Sequence, residues 1–343
     1  MSISTSPLQY EDYPDAVEFF RLTDLAFLSG GFGSQLRLHG APSEGPNGRH
    51  AIASLDASNL VTHVHNAYAE SGATILTVDT FDLSPWRQKK HDQRYGHTFA
   101  ADGITAAYEA ARQTQVQYPG HPLYLAGSLT SLEDCYNPHV TPDDAILLRE
   151  HFHHVALHAR AGADLVCLET LPTVREAVAM VKAAEQHGLP FIVSFTVGAG
   201  GNPLDGNSIE AAEIATRSPL RIGIGSNCCE IDDALAATKK LQRQFERNAA
   251  HKAHIVAYPN GYAHTRTEHS ADTGTDTDVW HDSACEAQKA VLPAKEFALT
   301  VRNLRKHGAS IVGGCCGTTP EHTAHYVGAL GGRLAGPSKF VCA

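Results

Sequence analysis

The stretch Leu220-Arg221-Ile222-Gly223-Ile224-Gly225-Ser226-Asn227-Cys228 decides how this chain is read. An aliphatic run gives way to glycine and polar residues and then to a thiol, the pattern of a buried strand that delivers a cysteine at its end. A second stretch repeats the pattern: Ile311 and Val312 precede Gly313-Gly314-Cys315-Cys316-Gly317. Two such strand ends meeting in space bring Cys228, Cys315 and Cys316 together. Three thiolates on rigid elements make a tetrahedral Zn²⁺ site with one position open, as in catalytic zinc. The competing reading is three buried structural cysteines, a common fate for this residue. Vicinal cysteines between glycines pack a core poorly, whereas glycines let the backbone pass close to a metal, so zinc ligation is expected.

Short apolar runs of the same kind recur at 25–28, 73–78, 123–126, 164–168, 191–195, 220–224, 254–258 and 309–312. Eight runs alternating with helix-like segments match a single-domain (β/α)₈ TIM barrel, whose parallel strands are buried on both faces. Leu60, Val61, Val64 and Tyr68 share one helical face, and Gly72 follows where a left-handed residue is wanted. Thr141-Pro142-Asp143-Asp144 reads as an N-cap, a first-turn proline and acids; Thr173-Val174-Arg175-Glu176 reads as a capping box, with Gly188 closing that helix. The expected organisation is an N-terminal extension over 1–22, the barrel over 23–330 and a tail over 331–343. The segment 263–278 reads as a long loop after the seventh strand. Barrels of this kind carry function where strands enter their βα loops. The residues at those points are Ser29, Asp79, Ser128, Glu169, Thr196, Cys228, Asn260 and Cys315.

Composition narrows the function classes. Lys plus Arg number 27 against 37 Asp plus Glu, a net charge of −10 with histidines neutral, which disfavours nucleic acid or an anionic membrane as partner. No run reaches the apolar length of a membrane span. The first 22 residues carry acids, Pro and Tyr in place of a basic start and an apolar core, so no export signal is read there. Eight cysteines without export point to reduced thiols serving metal or catalysis, with the cytoplasm as the expected compartment.

With these residues in view, the chain resembles the homocysteine S-methyltransferase family, from about Ala26 to His322. The resemblance rests on Gly225-Ser226-Asn227-Cys228 and Gly313-Gly314-Cys315-Cys316-Gly317-Thr318-Thr319-Pro320. Supporting it are Gly30-Gly31-Phe32-Gly33-Ser34-Gln35-Leu36, Glu169-Thr170-Leu171-Pro172 and Tyr258-Pro259-Asn260. It implies that Cys228, Cys315 and Cys316 carry zinc, and that Glu169 holds the ammonium of homocysteine. Gly30, Gly31, Phe32, Asn227 and Asn260 are carried over as substrate-binding positions. The implied reaction moves a methyl group from an onium donor, such as S-methylmethionine, S-adenosylmethionine or betaine, to the thiol, forming methionine. The metal is needed because only the thiolate attacks efficiently, and zinc displaces the proton of a coordinating thiol.

Two positions depart from the family. Ser29 stands where an aspartate is usual, and Val78-Asp79-Thr80 replaces Thr-Asn-Thr. Asp79 is therefore expected to supply from the second strand the carboxylate lost at Ser29 on the first. The same departures keep open a different thiol or selenol acceptor, and a non-catalytic zinc- or thiol-binding barrel stands as the rival of another class. His151, His154 and His158, spaced three and four apart, read as a solvated helix face. Cys229 reads as a non-ligand; Cys135, Cys167, Cys285 and Cys342 show no partner pattern. Gly198-Ala199-Gly200-Gly201 reads as a flexible loop. Phe32, Trp86, Tyr262 and Trp280 are candidates for an aromatic wall around an onium methyl group.

Overall fold

Eight parallel strands follow one another through the chain: β1 (Ala26–Phe27), β2 (Ile75–Val78), β3 (Tyr124–Leu129), β4 (Leu165–Leu171), β5 (Phe191–Phe195), β6 (Arg221–Asn227), β7 (His254–Tyr258) and β8 (Ala309–Val312). The computed structural model describes residues 14–41, 53–91, 98–248, 253–263 and 290–334. Each of the eight expected runs is a strand. Their hydrogen-bonded order is β1-β8-β7-β6-β5-β4-β3-β2, and a parallel bridge between Leu28 and Ile75 brings the two ends of that sheet together. The result is a (β/α)₈ barrel.

The seam between β1 and β2 adds side-chain bonds to two backbone ones, Thr74 N–H to Phe27 O at 2.8 Å being the first, because β1 is only two residues long. Phe27 N–H donates to Thr74 Oγ1 at 3.0 Å, and Thr77 N–H donates to Ser29 Oγ at 2.9 Å. Hydroxyls thus stand in for carbonyls of a longer ladder. Ser29 N–H still reaches Ile75 O at 2.9 Å.

Ten helices matter here, all on the outside of the strands or at their ends. They are α1 (Ala16–Leu22), α2 (Phe32–Leu38), α3 (Ser58–Glu70), α4 (Phe99–Gln117), α5 (Asp144–Ala161), α6 (Val174–Gln186), α7 (Ile209–Ala215), α8 (Ile231–Arg247), α9 (Ala294–Lys306) and α10 (Pro320–Ala329). Val61, Val64 and Tyr68 of α3 are buried as their spacing predicts, and Gly72 and Gly188 take left-handed φ after α3 and α6. Among the described residues, no helix is long and apolar enough to cross a membrane.

Side chains along each strand alternate between two environments. Outward ones such as Val166, Leu168, Val193 and Ala257 pack under the helices. Inward ones form a separate interior cluster with Leu28, Ile75, Tyr124, Ala126, Leu165, Cys167, Ile192, Val256, Tyr258 and Ile311. The segment expected as an extension joins this interior: Ala16 and Phe20 of α1 belong to the same cluster. Tyr124 Oη donates to Pro14 O, and His254 Nε2 meets Phe20 O, so α1 closes the bottom of the barrel.

Three local expectations need correction. The cap of α5 is Asp143, whose Oδ1 accepts from Ile146 N–H, two residues later than Thr141. Only half of the α6 capping box forms. Thr173 Oγ1 accepts from Glu176 N–H, but Glu176 Oε1 is engaged by Leu132 N–H and His151 Nε2 instead. Gly198 and its neighbours are no open loop, because Val197–Gly198 and Asn202–Pro203 pair as a small antiparallel hairpin.

Candidate active site

At the C-terminal end of the barrel the inward alternation produces the site. Ile75, Thr77 and Asp79 follow one another on one face of β2 and its end; Tyr124, Ala126 and Ser128 do so on β3, and Leu165, Cys167 and Glu169 on β4. Above them lies a pocket of about 440 Å³. Its wall includes Ser29, Gly30, Gly31, Phe32, Asp79, Ser128, Glu169, Cys228, Cys315 and Cys316, so most of the sequence-chosen residues share one cavity.

Two of the expected residues do not reach it. Asn227 is fully buried behind the wall, its side chain taken up by Thr170, Ser194 and Glu169. Asn260 lies two residues past the end of β7, where its N–H donates to Cys229 O, and Tyr258 takes the pocket position on β7. Alternation could have found Tyr258, since Val256 and Tyr258 both face inward. Thr196, also picked as a strand end, is likewise off the wall.

The three thiols converge as expected. The Sγ atoms of Cys228, Cys315 and Cys316 all lie within 4.8 Å of one another, with Cys228 and Cys316 3.6 Å apart. Sulfurs around a tetrahedral zinc at bond lengths of about 2.3 Å sit roughly 3.8 Å apart, so the donor set fits such an ion. Hydrogen bonds from Cys315 and Cys316 pull the Cys228 thiol down to about 5, with Tyr136 adding to them against desolvation. The same bonds push Cys315 well above the usual thiol range. One proton leaves this trio readily; ionising all three requires a cation, and soft sulfur donors favour metals of the zinc class. Cys229 faces away into the outer core, and burial raises its thiol.

Glu169 is only 6% exposed, at the top of β4. Ser128 Oγ donates to its Oε1, and Tyr258 Oη donates to its Oε2 at 2.9 Å. Burial raises its carboxyl to about 6 while these two donors hold it down. Asp79 accepts from Ser54 Oγ at 3.1 Å. Desolvation, then the nearby Asp82 carboxylate, push Asp79 up to about 7 against that hydroxyl.

Several wall residues escaped the sequence reading: Arg37, Phe81, Cys135 and Tyr136 among them. Tyr136 Oη lies 2.9 Å from Cys228 Sγ. It sits mid-loop, where no periodicity marks it. Of the aromatic candidates, Phe32 lines the pocket; Trp86 donates to Glu133 Oε1 and Tyr262 packs at Gly317, both off the wall. Trp280, Cys285, Cys342 and all of 263–278 except Ala263 lie outside the described residues.

The histidine face is the clearest reversal. His151, His154 and His158 are 0%, 1% and 0% exposed, on the face of α5 turned into the protein. His151 pairs with Glu176, and His158 Nδ1 meets Tyr108 Oη at 3.0 Å. Burial lowers His154 and His158, so these two imidazoles pack there as uncharged flat aromatic groups.

Comparison with known proteins gives a consistent picture. The profile of the homocysteine S-methyltransferase family matches residues 26–330. The selenocysteine methyltransferase of Astragalus bisulcatus is 28% identical over 333 residues, spanning 86% of this chain and 89% of its own length. Homocysteine S-methyltransferase 3 of Arabidopsis thaliana is 28% identical over 325 residues, spanning 86% and 87%. The crystal structure of the Escherichia coli homocysteine methyltransferase MmuM in its metallated form shares the fold, with a TM-score of 0.72 at 20% identity, covering 90% of this chain and 98% of that one.

Proposed function

The chain belongs to the homocysteine S-methyltransferase family, and we propose that it transfers a methyl group to the homocysteine thiol with zinc held by Cys228, Cys315 and Cys316. The observation that carries this reading is three thiols within 4.8 Å of one another on the wall of a pocket that also holds Glu169 and Asp79. Bound there, zinc supplies a Lewis acid that keeps an acceptor sulfur in its nucleophilic thiolate form at neutral pH.

The chain's own residues orient the partners. Glu169, fixed by Ser128 and Tyr258, receives the acceptor ammonium as a charge-assisted hydrogen bond. Asp79, steadied by Ser54, supplies a second carboxylate, since the Ser29 hydroxyl is committed to Thr77 in the barrel seam. Gly30 and Gly31 carry the chain along the pocket into α2, with Gly31 N–H anchored on Thr318 Oγ1 at 3.0 Å. Phe32 offers its ring to an onium methyl group. The wall holds Asp79, Asp82 and Glu169 against Arg37 at the rim, a balance suited to a cationic donor. In the transfer, the sulfur–methyl bond forms as the donor's onium–methyl bond breaks. The electron pair of that bond stays with the donor, which leaves neutral. A metal site built from free thiols suits a reducing compartment such as the cytoplasm.

A second reading of the acceptor has its own support. Similarity to the Astragalus bisulcatus selenocysteine methyltransferase equals that to the Arabidopsis thaliana protein, at 28% identity each. The same site would take a selenol, which ionises more readily than a thiol.

Zinc-loaded protein given homocysteine and sulfonium or quaternary ammonium donors should form methionine, detectable by mass spectrometry. Selenocysteine in parallel ranks the two acceptors. Cys316→Ala should abolish product while the circular dichroism of the barrel is retained. Failure to methylate either acceptor with any donor would remove the reading.

A further inference from the structure

The loop after β3 is strapped down before it reaches the thiols. Arg87 Nη2 donates to the carbonyls of Ser131 and Glu133 at 2.9 and 3.3 Å, and Leu132 N–H donates to Glu176 Oε1 at 2.7 Å. Trp86 Nε1 adds a bond to Glu133 Oε1 at 2.9 Å. Arg87 and Glu176 are 1% and 0% exposed, so these anchors lie within the packed structure. From this fixed loop Tyr136 reaches over to the β6 end, placing its hydroxyl 2.9 Å from Cys228 Sγ and 3.1 Å from Cys228 O.

A phenol has one proton to give. With Cys228 ionised, the bond to sulfur is charge-assisted and takes precedence over the one to the carbonyl. A donor aimed at a metal thiolate does two things: it fixes the direction of the sulfur lone pairs, and it draws electron density away from the metal.

The geometry points to Tyr136 as a positioning residue of the metal centre, donating its hydroxyl proton to Cys228 Sγ and making that thiolate a weaker donor than it would be unaided. The role rests on the three-thiolate metal reading above. It also ties the β3 loop to the metal, since the strapped loop and the Cys228 sulfur share this bond.

Cobalt(II) bound to the full-length chain in place of zinc reports on the thiolates through sulfur-to-metal charge-transfer absorption. Tyr136→Phe should shift that band to lower energy, because an unbonded sulfur lone pair lies higher. Tyr136 replaced by 3-fluorotyrosine, nearly the same in shape and a stronger donor, should shift the band the opposite way. Bands unmoved in both proteins, or moved in the same direction, would overturn the role of Tyr136. A wild-type chain that binds cobalt without any thiolate band would overturn the metal reading, and this inference with it.

Discussion

Asn227 grips Thr170 with both ends of its side-chain amide. Thr170 N–H donates to Asn227 Oδ1 at 2.8 Å, and Asn227 Nδ2 donates to Thr170 Oγ1 at 2.8 Å. Thr170 needs such a grip because its φ is +57°, a conformation that a β-branched residue rarely adopts. Cys228, next to Asn227, is also left-handed, at φ +50°. Each such residue costs on the order of 1–3 kcal/mol, held in place by its surroundings. One buried amide therefore couples the strand carrying Glu169 to the strand carrying the first thiol.

Asn227→Ala should lower stability by about 3 kcal/mol, since it strands the buried donors Thr170 N–H and Ser194 Oγ and leaves the left-handed backbone of Thr170 without its brace. Urea unfolding measures that loss. In the surviving folded fraction the acceptor KM should rise more than kcat falls, because Glu169 loses its backing while the thiols stay on their strands. Equal stability in variant and wild type would show that the grip is incidental.

Asp79→Asn should weaken the acceptor by roughly 1.5–3 kcal/mol, the scale of a charge-assisted hydrogen bond. A thiol lacking the amino group should be indifferent to the change. The sign with pH follows from the raised carboxyl: burial pushes Asp79 up to about 7, so wild-type kcat/KM should climb as pH rises through that value. The variant should lose this limb of the profile. Stability should move the other way. A carboxyl raised in the folded state binds protons more tightly there, so its ionisation destabilises the fold as pH rises from about 4 to about 7. Asp79→Asn is thus expected to have a higher urea midpoint at pH 8 than the parent. Steady-state kinetics and urea curves across pH 5 to 9 check both halves.

The buried imidazoles predict acid sensitivity. Burial lowers His65 and His158 to about 3 and His154 well below its usual value. The unfolded chain binds their protons below about pH 6.5 and the folded chain does not, so their contribution is intact above that pH and falls away beneath it. Each fully unprotonated histidine gives a slope of about 1.4 kcal/mol per pH unit. Urea midpoints between pH 7 and 4 should fall steeply, and His154→Leu should flatten the fall. A variant with the parental slope would relieve His154 of this role.

Gly225→Ala should cost about 3–5 kcal/mol, because a Cβ there would stand 1.7 Å from Val256 O on the neighbouring strand. The β6–β7 pairing must part to admit it, three residues before Cys228. Thermal unfolding and zinc content should therefore both drop, whereas Gly33→Ala, with open space around its Cβ, should change neither.

Much of the barrel was written in the sequence because parallel strands buried on both faces leave uninterrupted apolar runs, and all eight runs became strands. The thiols and Glu169 were legible because chemistry in such a barrel gathers at strand ends. The other parts depend on facts a run of letters does not carry. Tyr258 outranks Asn260 because inward alternation stops at the last strand residue. His151, His154 and His158 repeat at the same spacing as the buried Leu147, and only the packing of α5 on α4 and α6 tells that this stripe is inside. Glu176 leaves its capping box for His151 and Leu132, a competition settled by partners 25 and 44 residues away. Tyr136 lies on a loop, where neither period nor propensity assigns direction.

The two-residue first strand has a consequence for how the molecule breathes. Where a hydroxyl replaces a carbonyl as acceptor, the bond turns over whenever that side chain changes rotamer. Amide exchange is therefore expected to begin at Phe27 and Thr77, well before the ladders of β3 to β6. That leaky joint lies beside the same pocket as Ser29 and Asp79. A ligand gripping Asp79 on one side and the thiol cluster on the other would rivet the joint shut, so occupancy of the pocket and slowed exchange at Thr77 should rise together.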